Sequence, residues 1–504
     1  QIFDGNVEHG NLSGDVKYHQ GYSSDVVTPS GSIHLSMMFN PSHLEFVNPV
    51  AMGAARAKQD CFKDKIESDY TLLVLLHGDA AFVGQGVVAE SLNMSKTRAY
   101  DIGGTIHIIT NNQVGFTTHN SHDSRTSFYC TGPAKAIDAP IFHVNADDPV
   151  MAVKLLHLAF QYRLRFEKDV VIDLIGFRRH GHQEVDEPRT TQPMMYKLVD
   201  QHPGIRSLFS DKLIEANVIS KPMVEEKHNA TRDRLDSGES LIDTVPNRPS
   251  ADFEINWAPY FHQEWDTHAD TTVAQDTLHS LGEELSQLPE NFLLHRNVKK
   301  IMDSRLAMSK GEMALDWGMG ETLAYASLLK DGFDIRLVGE DARRGTFFHR
   351  HATVFDQNDG LEYSPLLKLA EQCKVSFTNC DSMLSETGAL GFEYGYSMTN
   401  PKALVLWEAQ FGDFANVAQV IIDQFICSAW QKWQRLSGLV MLLPHGYEGM
   451  GPEHSSARLE RYLQLSAQGN LQVCVPSTPS QIFHLLRRQM IRSYRVPLIV
   501  MTPK

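Results

Sequence analysis

The sequence predicts an α/β protein with two parallel-sheet domains that are joined by a mostly helical segment. Apolar runs with the length of buried strands alternate with helix-like segments between residues 71 and 177, and the same alternation returns after residue 306. Between these regions, residues 201–305 are polar, favour helix and contain no long apolar strand. We therefore expect α/β domains at residues 1–200 and 306–504 and a helical linker at residues 201–305.

The first strand-helix-strand unit carries the clearest signal for a site. An apolar run at residues 71–76 leads into Gly78 and Asp79, residues 84–95 have helical spacing, and residues 104–109 predict a strand before Asn111 and Asn112. A helical crossover makes the strands parallel, so Asp79 and Asn112 are expected at the same edge of the sheet. A carboxylate and an amide oxygen suit Mg²⁺, which usually shares its ligands with phosphate. The unit predicts a site for a magnesium-bridged diphosphate.

The same unit has a competing interpretation as a dinucleotide-binding turn. Residues 84–89 match the pattern G-x-G-x-x-A after a predicted strand. These glycines come several residues after the strand, however, and the second strand ends in two asparagines instead of an acidic residue for a ribose hydroxyl. The diphosphate interpretation therefore fits the sequence better.

A second unit of this kind ends in a basic loop. Residues 141–144 and 170–177 predict strands, and residues 149–166 predict an amphipathic helix between them. The second strand leads into Arg178, Arg179, His180 and His182, a cluster that suits diphosphate or carboxylate recognition. A zinc site at His180 and His182 is the alternative, although no cysteine or further ligand motif accompanies them.

The second α/β domain shows the same alternation. Residues 321–330 predict one helix, and residues 479–492 predict another that Thr478 caps and a proline begins. The strand candidates lie at residues 335–338, 375–378, 403–407, 439–443, 473–475 and 498–501. These segments predict a second sheet domain of similar size to the first.

Composition and charge restrict the possible partners. A formal net charge of −15 argues against nucleic acid or an anionic membrane surface as a general partner. No run of 18 apolar residues predicts a membrane span, and the six cysteines form no C-x-x-C pair, as expected in a reducing compartment. The chain starts at Gln1 and stops at Lys504 directly after a predicted strand, so we expect a fragment that lacks both ends of a longer protein.

Eight stretches carry a resemblance to a known family. They are GDVKYH at residues 14–19, NPSHLE at 40–45, HGDAAFVGQG at 77–86, NNQVGFTT at 111–118, RRHGHQE at 178–184, RGTFFHRH at 344–351, WEAQFGDF at 407–414 and HGYEGMGPEHSSARLERYLQL at 445–465. Through them the chain resembles the thiamine diphosphate-dependent first components of 2-oxoglutarate dehydrogenase complexes. The resemblance implies a thiamin diphosphate-binding fold in both α/β domains, with the pyrophosphate held by the first and the pyrimidine by the second.

The resemblance also implies roles for individual residues. Asp79 and Asn112 would bind Mg²⁺ through their side chains, and Val114 through its backbone carbonyl. Glu386 would face the pyrimidine ring nitrogen and share a proton with it, because the family places its proton-sharing acid in the segment that matches residues 385–388. The other catalytic candidates are His454, His19 and His182, and the other candidates for cofactor binding are Ser42, His43, Leu44, Ala80 and Phe411. From the residues alone, Glu386 is also explained as a helix-start acid, and His19 as a histidine bonded to loop backbone.

The function that the resemblance implies is oxidative decarboxylation of 2-oxoglutarate with thiamine diphosphate and Mg²⁺. The succinyl group would pass to the lipoyl group of a partner dihydrolipoyl succinyltransferase, with dihydrolipoyl dehydrogenase as a further partner in the complex. A homodimer is expected, because in this superfamily the cofactor lies between halves of two chains. The alternatives are the same chemistry on 2-oxoadipate and a catalytically silent scaffold that binds the cofactor. The expected location is the bacterial cytoplasm, or the mitochondrial matrix in a eukaryote.

Overall fold

The computed structural model describes residues 13–62, 71–119, 121–239 and 254–504. The strands are β1 (Tyr22–Thr28), β2 (Gly31–Met37), β3 (Leu73–Gly78), β4 (Thr105–Asn111), β5 (Ile141–Asn145), β6 (Val170–Ile175), β7 (Asp334–Gly339), β8 (Val354–Phe355), β9 (Glu362–Tyr363), β10 (Phe377–Asp381), β11 (Ala403–Glu408), β12 (Val440–Pro444), β13 (Gln472–Cys474) and β14 (Leu498–Thr502).

The α-helices surround two sheets. They are α1 (Val47–Phe62), α2 (Asp79–Gly84), α3 (Gly86–Met94), α4 (Ser121–Ser124), α5 (Pro149–Phe166), α6 (Pro193–Val199), α7 (Ile205–Glu215), α8 (Lys221–Asp236), α9 (Gln275–Leu285), α10 (Arg296–Ser309), α11 (Trp317–Lys330), α12 (Pro365–Cys373), α13 (Glu386–Thr399), α14 (Gln419–Ile421), α15 (Ala429–Trp433), α16 (Leu459–Leu465) and α17 (Pro479–Ile491). None of the helices in the described ranges is both long and apolar enough to cross a membrane.

The first sheet is parallel and has the strand order β3-β4-β6-β5. Strands β3 and β4 run side by side with Gly78 opposite Thr110, so Asp79 and Asn112 follow the same edge, as predicted. The predicted helix at residues 84–95 differs from the structure, because helix α2 begins at Asp79 and an extended Gln85 separates it from α3. The two glycines of the dinucleotide pattern end α2 and begin α3, so neither lies in the turn that leaves β3, which removes the structural basis of that interpretation.

The second sheet is also parallel and has the order β10-β7-β11-β12-β14-β13. Each of the six predicted strands overlaps one of its strands. Helix α17 begins at Pro479, and the Thr478 side chain accepts a hydrogen bond from the Gln481 backbone N–H, so the predicted cap is present. The α/β fold with two parallel sheets flanked by helices is therefore confirmed, while the exact domain limits stay a prediction.

The linker region contributes helices only, as far as the structure describes it. Within residues 201–239 and 254–305 there are helices α7, α8, α9 and α10 and no strand. Helix α9 packs against the second domain through Leu281 and Leu285, which belong to the same buried cluster as Leu323 and Leu328 of α11. The end of the linker is thus part of the core of the second domain.

The two halves of the chain meet where α1 crosses α13. Gly53 and Gly395 lie at the crossing, and a Cβ atom at either position would overlap a backbone carbonyl oxygen of the other helix, that of Phe392 or Val50. Because glycine has no side chain, the two helix backbones pack directly against each other. Buried residues of both helices belong to one hydrophobic cluster, so the halves share a continuous core.

A buried ion pair reinforces this contact between the halves. Arg336 of β7 donates two hydrogen bonds to the Glu393 carboxylate of α13, at 2.7 and 2.8 Å, and a third to the Ala99 carbonyl at 2.7 Å. Arg336 and Glu393 are almost completely buried. The guanidinium group also lies 5.0 Å from the centroid of the Phe392 ring. Arg336 therefore joins an inner strand of the second sheet, β7, to both α13 and the first half.

Removal of one partner of this pair is expected to destabilise the fold strongly. The Glu393→Gln variant leaves Arg336 buried without its counter-charge, for which a loss of about 3–5 kcal/mol in the free energy of unfolding is expected. Urea unfolding followed by fluorescence measures the loss, and Glu239→Gln on the exposed surface after α8 is the control. An unfolding midpoint unchanged in Glu393→Gln would contradict the importance of this pair.

Candidate active site

The predicted metal ligands lie together at the carboxyl edge of the first sheet. Asp79 is only 2 % exposed, and the backbone N–H of Asn112 donates a hydrogen bond to its carboxylate. The Asn112 side-chain oxygen accepts from the Val114 N–H at 3.2 Å, which holds that loop in a tight turn. A Cβ atom at Gly115 would lie 2.6 Å from the Cβ of Ala80, so the loop packs closely on the start of α2. The structure thus brings Asp79, Ala80, Asn112 and Val114 together.

The electrostatics of this edge suit a cation. Burial raises the pKa of the Asp79 carboxyl, while the charge of Arg125 and the N–H of Asn112 oppose that rise, and the charge of Asp173 adds to it. The Arg125 guanidinium lies 3.5 Å from the Asp79 carboxylate. A buried carboxylate beside an amide oxygen and a backbone carbonyl is a donor set that Mg²⁺ accepts. The residues present therefore fit a magnesium ion and the diphosphate that it would bridge.

The basic loop after β6 lies against the same edge. The His182 ring packs edge-on against Phe116, with 4.7 Å between the ring centroids. Arg178 donates to the Phe116 carbonyl at 2.7 Å, and the Asp186 carboxylate accepts from the His182 backbone N–H at 2.7 Å. His182 is exposed and its ring is therefore accessible beside the predicted diphosphate site.

The residues predicted from the two N-terminal motifs form a second group. The Ser42 hydroxyl lies 3.0 Å from Nε2 of His19, and Ser42, His43 and Leu44 are exposed. The loop that carries them is anchored by Glu45, whose carboxylate lies 2.6 Å from Nδ1 of His77 in β3. Since His77 precedes Asp79 by two positions, this buried contact holds the loop against β3, the strand that leads into the predicted metal ligand Asp79. We call the end of the sheet that carries Asp79 and Asn112 the metal edge.

The predicted proton-sharing acid lies at the start of α13 in the second domain. Burial raises the pKa of Glu386, and the nearby charge of Glu90 raises it further. Burial together with the charges of Glu386 and Asp341 also raises the pKa of Glu340 to about 7. Three carboxyl groups from different elements thus converge at one helix start, which favours the retention of a proton there at neutral pH.

Glu90 also fixes the position of this helix start. Its carboxylate accepts hydrogen bonds from the Ser385 hydroxyl and, at 3.1 Å, from the Gly388 backbone N–H. The Ser385 hydroxyl in turn accepts from the same N–H at 3.0 Å. The start of the helix that carries Glu386 is therefore held by α3 of the first domain.

His454 lies in an aromatic pocket of the second domain. Its ring stacks on Phe411 at 4.5 Å between centroids and lies 4.9 Å from the ring of Phe414. Asp413 lies 2.9 Å from Nδ1 of His454. A carboxylate can only accept hydrogen bonds, so the proton of the neutral ring is on Nδ1, while Nε2 lies 3.6 Å from the Glu453 carboxylate at the mouth of the pocket.

The predicted metal ligands and the His454 pocket make no direct contact among the described residues. None of the hydrogen bonds, ion pairs or ring contacts among the described residues joins Asp79, Asn112, Val114 or His182 to Glu386, Phe411 or His454. A cofactor that contacts both groups would have to span the space between them, within one chain or between two chains.

Sequence reasoning missed several polar residues of these sites. Asp413 lies inside the WEAQFGDF stretch. Glu340 directly follows β7, so its position at a strand end could have indicated Glu340 as a site residue. Arg125 and Glu90 gave no such signal, because they reach their partners only through tertiary packing.

Another set of potential metal ligands is already hydrogen-bonded to an arginine. One atom from each of Glu321, His349 and Glu408 lies within 4.8 Å of the others. Arg350, however, donates to both carboxylates through four hydrogen bonds of 2.6 to 3.1 Å. Since these four hydrogen bonds already occupy the carboxylate oxygens, the group forms a buried ion network and we assign no metal to it.

Comparison with known proteins places the chain in a family. The family described as "Dehydrogenase E1 component" matches residues 3–240, and "Transketolase, pyrimidine binding domain" matches residues 313–504. Proteins named "2-oxoglutarate dehydrogenase E1 component" are 58 % identical over 504 residues in Coxiella burnetii, 52 % over 496 residues in Cupriavidus necator and 52 % over 493 residues in Haemophilus influenzae. The matches cover 100 %, 98 % and 98 % of this chain.

Fold and domain matches together place the chain in the class of dehydrogenase E1 components, with a transketolase-type pyrimidine-binding domain. Within this class, the chain belongs to the family of the 2-oxoglutarate dehydrogenase E1 components. It spans about half the length of the curated relatives that it matches, namely 54 %, 52 % and 52 % of the three proteins above.

Proposed function

We propose that the protein containing this chain catalyses the oxidative decarboxylation of 2-oxoglutarate with thiamine diphosphate and Mg²⁺. The succinyl group would pass to the lipoyl group of a dihydrolipoyl succinyltransferase, and dihydrolipoyl dehydrogenase would serve the same complex. The observation that carries the proposal is the buried Asp79 beside Asn112 at the sheet edge of an E1 domain. The relatives above are bacterial, in keeping with the predicted location in a bacterial cytoplasm.

The first domain would hold the charged end of the cofactor. Asp79, Asn112 and the Val114 carbonyl would bind Mg²⁺, with Ala80 against the diphosphate at the start of α2. His182 and the Arg178 loop lie beside this edge and would add positive charge or hydrogen-bond donors. Ser42, His43, Leu44 and His19 would line the neighbouring part of the pocket.

The second domain would supply the proton chemistry. When bound, the cofactor provides the electron sink that amino-acid side chains lack. Glu386 would hold a proton opposite the pyrimidine ring, because burial and Glu90 raise its pKa. Phe411 would form the wall of the pyrimidine pocket. His454, oriented by Asp413, would present Nε2 to the substrate and stabilise charge that develops there.

A homodimer is part of the proposal, because in this superfamily the cofactor lies between the halves of two chains. In the proposal, the metal edge of one chain meets the Glu386 pocket of a second copy, which gives two equivalent sites per symmetric dimer. The alternative functions remain the same chemistry on 2-oxoadipate and a cofactor-binding scaffold without turnover.

A calorimetric titration followed by turnover assays tests the proposal. Thiamine diphosphate titrated into the 504-residue chain and into the complete protein is expected to bind saturably only when Mg²⁺ is present. The complete protein should then oxidise 2-oxoglutarate faster than 2-oxoadipate with an artificial electron acceptor. Faster turnover of 2-oxoadipate would select that substrate, binding without any turnover would select the scaffold, and metal-independent binding would contradict the magnesium site.

A further inference from the structure

The segment that carries His19 contains a hydrogen-bonded chain of side chains, or relay, and the roles assigned above leave its first member, Asp15, without a function. Asp15 lies 2.9 Å from Nδ1 of His19, and Nε2 of His19 lies 3.0 Å from the Ser42 hydroxyl. The three side chains follow the order carboxylate, imidazole, hydroxyl. Asp15 and His19 are partly buried, while Ser42 faces the solvent side.

The chemistry of a carboxylate determines the tautomer of His19 in this relay. An ionised carboxylate only accepts hydrogen bonds, so Nδ1 of His19 must carry the proton that Asp15 accepts. Nε2 of the neutral ring is then left with its lone pair and accepts from the Ser42 hydroxyl. Burial raises the pKa of Asp15, but its hydrogen bonds with His19, the Val16 N–H and Trp433 outweigh this, so its pKa is lowered and it stays ionised.

Asp15 is itself held by the second domain. The Trp433 Nε1–H donates to its other carboxylate oxygen at 2.9 Å, and the Gln431 carbonyl accepts from the Gly14 N–H at 3.0 Å. Trp433 is buried and stacks on Phe39 at 4.5 Å between centroids. The carboxylate therefore has little freedom to turn away from His19, and a rigid aromatic contact from the far half of the chain sets its direction.

We propose that Asp15 is a positioning residue, which keeps His19 in the Nδ1–H tautomer and directs the acceptor atom Nε2, with the Ser42 hydroxyl that is hydrogen-bonded to it, toward the substrate pocket. The inference rests on the proposed function, in which His19 belongs to that pocket. Asp15 does not touch the substrate and acts only through His19. Trp433 supports it from behind by fixing the second carboxylate oxygen.

The chain contains a matched control for this relay. In the β1–β2 hairpin, Asp25 lies 2.6 Å from Nδ1 of His34, and Nε2 of His34 lies 3.0 Å from the Ser23 hydroxyl. The order of groups is the same, but no role in the site is assigned to this hairpin. A substitution of Asp25 therefore removes the same type of interaction without touching the proposed pocket.

The test combines a spectroscopic measurement with kinetics on the complete protein, loaded with thiamine diphosphate and Mg²⁺. Histidine labelled with ¹³C reports the ring tautomer, and His19→Gln identifies the signal of His19. In the wild type we expect Nδ1–H. In Asp15→Ala we expect a shift toward Nε2–H and a fall in kcat of roughly a hundredfold with little change in KM, because the acceptor nitrogen is lost. Asp15→Glu should partly recover both the Nδ1–H tautomer and kcat, and Asp25→Ala should leave kcat unchanged.

Each departure from this pattern has a defined meaning. An unchanged His19 tautomer in Asp15→Ala overturns the proposal, and so does a changed tautomer with kcat within about twofold of the wild type. Circular dichroism and the thermal midpoint show whether Asp15→Ala is folded, and Trp433→Phe offers a milder variant expected to act in the same direction. If the wild type itself turns over no 2-oxo acid, the proposed function fails, while the tautomer measurement still decides the Asp15–His19 pairing.

Discussion

The Asp79→Ala variant is expected to lose the Mg²⁺-dependent binding of thiamine diphosphate and, with it, the turnover of 2-oxo acids. Asp79 is the only charged ligand in the proposed metal set, and the remaining oxygens belong to an amide and a backbone carbonyl. Even residues one shell away from a metal change affinity or activity by roughly 10–100-fold, so the loss of a direct anionic ligand should exceed that range. Calorimetry at saturating Mg²⁺ measures the affinity.

Unfolding does not explain this expected loss. Because burial raises the pKa of Asp79, its ionised form is less favourable in the folded state than in the unfolded one. The Asp79→Ala variant loses this cost and also the contacts with Arg125 and the Asn112 N–H, so we expect only a small net change in the stability of the apoprotein at neutral pH. Thermal unfolding without cofactor checks this, and Asp211→Ala on the exposed face of α7 is the control. Wild-type affinity in Asp79→Ala would mean that other residues hold the metal.

The Glu386→Gln variant is expected to bind the cofactor and yet to lose activity. The amide keeps the size of the side chain but cannot hold and release a proton as the carboxylic acid does. We expect hydrogen–deuterium exchange at the reactive thiazolium carbon to slow by roughly 10²–10⁴-fold, the usual contribution of a positioned acid or base. NMR after acid quench measures that exchange.

Glu90→Gln provides the companion variant for Glu386. The Glu90 charge raises the pKa of Glu386, so its removal should lower that pKa and move the corresponding limb of the pH–rate profile toward lower pH. A glutamine oxygen still accepts from Ser385, which keeps the helix start in place. Fast thiazolium exchange in Glu386→Gln would place the proton relay at another group, with Glu340 as the first candidate.

A mixture of the two inactive variants tests whether the site is shared between chains. In a dimer of one Asp79→Ala chain and one Glu386→Gln chain, one site carries both substitutions and the other carries neither. Random association of a symmetric dimer would then restore about a quarter of wild-type activity. Sites built within single chains would stay inactive in every dimer, so an inactive mixture that has exchanged subunits would refute the shared site.

Local chemistry explains which parts of the fold could be predicted from the sequence. The bounds of α5 agree with the prediction because Pro149 and the capping Asp148 mark its start. Thr478 and Pro479 mark α17 in the same way. The start of α2 at Asp79 was missed, because no local pattern separates a short helix from a loop directly after a strand.

The candidate site shows the same limit more clearly. The strand ends predicted that Asp79 and Asn112 would be neighbours, because chain direction in a parallel sheet fixes that distance. The contact between Glu90 and Ser385, which are 295 residues apart, depends on how two domains pack and has no local signature. The assigned roles of Glu386, His454, His19 and His182 remain predictions, which the variants above are designed to test.

The glycine crossing of α1 and α13 bears on how such a polypeptide can be divided. At Gly53 and Gly395 backbone meets backbone, so the contact between the halves does not depend on the peptide connection through the linker. This contact is therefore a property of the two helix surfaces and not of the segment that connects them. The covalent connection keeps the two halves of the chain in a ratio of one to one, whereas the two glycines allow the close approach of α1 and α13. A larger residue at either position would force the two helix backbones apart, whether or not the halves are covalently joined.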